Sequence, residues 1–164
     1  DIANDKYQDA ANLVGSSMGV YGLSSMAFAL LLTFYTAKRK INRKYIHSIS
    51  LLLGGIGFIM MFYSKPDTLL YSFILIGISW GSILSMPYAI LAGSISPKKM
   101  GVYMGIFNFF IVIPQIINAL IGGPLVKYLY NDHAIYAIIT SGVSFLIAAV
   151  LVVKVKDVDD VIQK

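Results

Sequence analysis

The chain has 164 residues, 57% of them hydrophobic and only 13% charged, with a mean hydropathy of +0.75 and a net charge of +5. Soluble domains carry about 25% charged residues, so the composition argues against a water-soluble domain, and a basic balance in so apolar a chain does not point to nucleic acid. There is no cysteine, which removes disulfides, thiol nucleophiles and thiolate metal sites from consideration.

The first nine residues, DIANDKYQD, are polar and read as an external loop. Five charge-free runs follow, at about 10–37, 45–64, 68–97, 100–126 and 134–153. Crossing a hydrocarbon core of about 30 Å takes about 20 helical residues, so each run predicts a membrane-spanning helix, and the longer runs must tilt or kink. Alternating ten-residue strands of a membrane barrel are absent. The expected architecture is therefore all-α: a loop at 1–9, a five-helix membrane unit at 10–154 and a tail at 155–164.

In the first span, Gly15, Gly19 and Gly22 fall on one helical face. Between the first and second spans lies KRKINRK, with Lys38, Arg39, Lys40, Arg43 and Lys44. Lys98 and Lys99 separate the third span from the fourth, and Lys154, Lys156 and Lys164 follow the fifth. These ten cations share one side of the membrane, and Lys6, Lys65 and Lys127 lie on the other. The positive-inside rule places the ten, and with them the C-terminus, in the cytoplasm. Asp1 is then outside, which needs an earlier span, so the expectation is a piece of a longer membrane protein. Asp157, Asp159 and Asp160 count little in that rule.

The third span holds Gly77, Gly81 and Ser85 at four-residue spacing, with Trp80, Pro87 and Tyr88. Small residues so spaced let membrane helices approach closely, although glycine is also common in such helices. Tryptophan favours interfaces, so the central Trp80 invites a reason. Bundle packing is one. Another is a cavity in which Trp80 and Tyr88 stack on the apolar face of a sugar.

The fourth span, GVYMGIFNFFIVIPQIINALIGGPL, carries Gly101, Gly105, Asn108, Pro114, Gln115 and Asn118 without a charge. Asn108 and Gln115 are two turns apart on one face, with Asn118 beside it. An amide in hydrocarbon is costly, so these side chains should meet other helices or a water-filled cavity. Pro114 predicts a kink, and Pro124, after Gly122 and Gly123, predicts the end of the helix. His47 and His133 read as solvated loop or interface residues. No metal-ligand pair, catalytic triad or phosphate-binding glycine loop is present, so neither an enzyme nor a cofactor is expected. Membrane lipid is one expected partner.

GVYMGIFNFFIVIPQIINALIGGPL resembles the eleventh helix of the sucrose–proton symporters and their relatives in the major facilitator superfamily. The shared residues are Gly101, Gly105, Asn108, Ile111, Val112, Pro114, Gln115, Gly123 and Pro124. GISWGSILSMPYAIL is similar to the tenth helix, and YQDAANLVGSSMGVYGL to the entry of the eighth. The resemblance covers most of Tyr7–Val153. It implies a twelve-helix fold with cytoplasmic termini, of which these five are the eighth to twelfth, in the cell membrane (the inner one in a bacterium). The seventh helix and the N-terminal half would then be partners of this chain. It implies import of a disaccharide or other glucoside coupled to protons, with the coupling carboxylate in that other half. Substrate-binding candidates are Trp80, Tyr88, Asn108, Gln115 and Asn118. Packing or hinge candidates are Gly77, Gly81, Pro87, Gly101, Gly105 and Pro114. The family's loop motif survives here only as Arg43–Lys44. The alternatives are another major facilitator porter, for a cation-coupled glycoside or other small solute, and a non-transporting membrane subunit.

Overall fold

The computed structural model describes residues 2–38 and 41–157. They form five α-helices: α1 (Ile2–Lys38), α2 (Arg43–Met60), α3 (Leu69–Ser94), α4 (Met100–Pro124) and α5 (Ala134–Val152). A 3₁₀ turn, Pro97–Lys99, precedes α4, and a π-helical turn, Leu125–Leu129, follows it. There is no strand among the described residues.

Each charge-free run becomes a helix, with one departure. The stretch expected as a loop at 1–9 is helical from Ile2 onward. No glycine or proline interrupts it before Gly15, and Asp5 in the first turn suits the positive end of the helix dipole. Polar composition signals solvent here, not the absence of helix. Pro124 ends α4, as expected. It lacks the N–H that would continue the ladder, and the helix widens into a π turn in which the Tyr130 N–H reaches the Leu125 carbonyl at 3.2 Å. The chain then reverses at Asn131 and Asp132, both in the left-handed region that these residue types tolerate.

Among the described residues, four segments are long and apolar enough to cross a membrane: Asn4–Thr36, Leu69–Ser94, Pro97–Leu129 and Ala134–Val152. The second helix is more polar. It has 18 residues and begins with Arg43 and Lys44, and His47 follows one turn later. The reason lies in its position. α2 is covered by α3 on one side and α5 on the other, so it presents His47, Ser48, Ser50, Gly54, Gly55 and Gly57 to protein and not to lipid.

The packed helices form one row in the order α1, α3, α2, α5. Its joints are made by small residues. At α2–α5, a Cβ on Gly55 would stand 2.9 Å from the Gly142 carbonyl, and one on Gly142 3.0 Å from the Gly55 carbonyl. The Ser48 hydroxyl donates to the Ala149 carbonyl at 2.7 Å, and Phe58 meets Phe145 edge to face at 5.2 Å. At α2–α3, Gly54 lies against Ser79, and Gly57 lies near the Ser72 carbonyl. At α1–α3, the Ser24 hydroxyl donates to the Ile74 carbonyl at 3.2 Å. Close backbone approach and interhelical hydrogen bonds are what membrane helices use, since lipid removes the hydrophobic drive between them. Large apolar side chains accordingly face outward on every helix.

Candidate functional site

The fourth helix stands apart from this row. It touches α3 near its own N-terminal half and leaves the rest of its length uncovered by the described helices. The joint is a single polar and aromatic junction. Tyr88, half-buried on α3, donates its hydroxyl to Asn108 Oδ1 at 2.8 Å. Its ring also meets Phe107 edge to face at 5.1 Å.

Of the five substrate-binding candidates, only Tyr88 and Asn108 are brought together. Trp80 is 41% exposed and packs against Tyr21 of α1, with ring centroids 6.4 Å apart. Eight residues separate it from Tyr88, which puts the two about 80° apart around the helix. Gln115 and Asn118 are both exposed. Gln115 makes no hydrogen bond among the described residues, and the Asn118 amide lies over Gly122, 3.4 Å from where a Cβ would stand. The exposed polar edge therefore runs along α4 from the Tyr88–Asn108 pair to Gln115.

The packing candidates divide. Gly77 faces Ser24 and the Tyr21 carbonyl, and Gly81 faces the Ser25 carbonyl, 2.8 Å from a would-be Cβ. Both lie in the α1–α3 joint. Gly101 and Gly105 have nothing within 4 Å of that position, and neither do Gly15, Gly19 and Gly22. Among the described residues nothing packs on those two small-residue faces. Pro87 and Pro114 sit inside continuous helices.

Two polar features escape the sequence reading. His47 is no solvated loop residue: it is 6% exposed, and its Nδ1 is 2.9 Å from Ser82 Oγ across the α2–α3 joint. The signal was present in the small and polar residues recurring along one face of α2. Asp157, expected in a solvated tail, is 1% exposed. It lies 3.9 Å from Arg43 Nη1, which also donates to the Ala89 carbonyl at 3.1 Å. The chain beyond α5 thus folds back onto the start of α2 and the end of α3. Asp159, Asp160 and Lys164, and Arg39 and Lys40 of the basic loop, fall outside the described residues. His133 is exposed at the start of α5, edge-on to Tyr136.

An all-helical bundle with apolar outer faces and small-residue joints is a multi-pass membrane protein. The family model of the Major Facilitator Superfamily matches residues 3–163. The chain belongs to that superfamily of membrane transporters. No curated protein and no solved structure matches it.

Proposed function

We propose that this chain forms part of a secondary active transporter that imports a sugar, a disaccharide or other glucoside, together with protons. The observation that carries this reading is the Tyr88–Asn108 pair. It sets a phenol and a carboxamide at an exposed position between two membrane helices, with Gln115 two turns farther along the same face. Hydroxyl-rich solutes are held by such groups, and polar side chains at membrane depth are costly unless they line a cavity. Repeat-built transporters bind solute where two helical halves meet near mid-membrane. The apolar length of α4 that no described helix covers supports a role as one wall of that meeting place, with a second helical half opposite. The coupling carboxylate would belong to that half, because α3 and α4 carry no Asp or Glu. The basic ends of the helices support a cytoplasmic C-terminus.

The test uses the full-length protein in liposomes with radiolabelled sucrose. An imposed proton gradient directed inward, acid outside, should drive accumulation, and a protonophore should abolish it. Sucrose uptake that ignores the gradient would remove proton coupling. Absence of uptake for sucrose, maltose and aryl glucosides alike would remove the sugar reading.

A further inference from the structure

Basic residues of the chain gather at one end of the bundle, beside an apolar hollow. Arg43 and Lys44 open α2, Lys98 and Lys99 lie between α3 and α4, and Lys154 and Lys156 follow α5. All six lie at one end of the bundle, as the contact of Arg43 with Ala89 and Asp157 requires. Among the described residues the one carboxylate at that end is Asp157, beside Arg43. The opposite end is mixed, with Lys6, Lys65 and Lys127 against Asp5, Asp9, Asp67 and Asp132.

At the basic end the four helices α2 to α5 converge on an open hollow of ≈ 400 Å³. Its wall is apolar, built from residues including Pro87, Leu91, Phe107, Val152 and Val155, and Lys156 stands among them as its cation. His47 reaches it from α2 with its Nδ1 already bonded to Ser82. The hollow therefore joins an apolar slot to a lysine at the level where the spanning helices end. That level is where a bilayer changes from acyl chain to headgroup.

We propose that the hollow binds one anionic phospholipid, with an acyl chain against the apolar wall and the headgroup phosphate on Lys156. A neutral solute would leave the lysine unused. Anionic lipid matches both the slot and the sign of charge around it, and a lysine at the headgroup itself strengthens such binding about fivefold, the factor equivalent to about 1 kcal/mol.

Native mass spectrometry of the delipidated full-length protein tests this, titrated with dioleoylphosphatidylglycerol or with dioleoylphosphatidylcholine. The chains are identical and only the first lipid is anionic. One phosphatidylglycerol should be retained in preference to phosphatidylcholine. Lys156→Gln should cut that preference about fivefold, whereas Lys98→Gln, at an exposed lysine away from the wall, should not. Val155→Trp, at a partly exposed position beyond α5 that folding tolerates, should fill the mouth and release both lipids. Equal retention of the two lipids overturns the proposal. So does an equal effect of Lys98→Gln and Lys156→Gln, which would reduce the charge to a diffuse attraction, and so does undiminished retention by Val155→Trp.

Discussion

Tyr88 and Asn108 are the polar link between α3 and α4: a phenol hydroxyl donates to a carboxamide oxygen at 2.8 Å, 20 positions away in the chain. The two side chains form a unit, so their substitutions should not add. Tyr88→Phe removes the donor, Asn108→Leu removes the acceptor, and the double variant should resemble either single one in sucrose uptake. The expected coupling is about 0.5–1.5 kcal/mol, the net value of one hydrogen bond. Strictly additive losses would show that the two residues act separately.

Gln115 differs because nothing in the described chain holds it. Gln115→Leu should leave the melting temperature of the full-length protein unchanged. For the sugar proposed above, it should weaken affinity by a factor equivalent to about 1–3 kcal/mol, the cost of leaving a buried polar group of the solute unpaired. A lowered melting temperature with normal affinity would instead assign this amide to packing against another helix.

The two buried serines facing α2 give opposite expectations. Ser82 bonds His47 at 2.9 Å, so Ser82→Ala should cost about 1 kcal/mol by leaving a buried imidazole nitrogen without its partner. Ser79 is buried against Gly54, and its hydroxyl has no partner among the described residues. Ser79→Ala keeps the small size and deletes an unpaired group, so it should be neutral or stabilising. Thermal melts of the two purified variants settle the contrast.

Much of this fold can be read from charge alone. The interruptions at Lys38–Lys44, Lys65–Asp67, Lys98–Lys99 and Lys127–Asp132 divide the chain into its five helices. Partner choice is less legible. Gly15, Gly19 and Gly22 on α1 have the same kind of spacing as Gly77, Gly81 and Ser85 on α3. Yet among the described residues only Gly77 and Gly81 of these lie in a joint, since spacing reports a smooth face and not what lies across it. The helical state of Ile2–Asp9 was hidden because polarity reports solvent and says little about backbone. Asp157 was hidden because its contact with Arg43 spans more than a hundred positions. At the site, the sequence singled out Tyr88 and Asn108 separately. Their hydrogen bond depends on how α4 sits against α3, which no local pattern encodes.

The glycines can be tested as a pair. A methyl on Gly142 would meet the Gly55 carbonyl at 3.0 Å and an Ile59 side-chain carbon at 2.9 Å, so Gly142→Ala should force α2 and α5 apart and lower the melting temperature. Gly19→Ala meets nothing within 4 Å and improves helix propensity by about 0.8–1 kcal/mol. It should be neutral or stabilising. A loss at Gly19 as large as that at Gly142 would mean that another helix covers α1 at that face.

Because α1, α3, α2 and α5 stand in one row, the three joints act as springs in series. Displacement applied to α1 reaches α5 only after α3 and α2 have each yielded. The compliances of the joints add, and the softest one takes up most of the strain. All three joints are set by close backbone approach: Gly55 and Gly142 at α2–α5, Gly57 against the Ser72 carbonyl at α2–α3, and Gly81 against the Ser25 carbonyl at α1–α3. None is plainly softer than the others, so strain spreads along the row and the four helices move together.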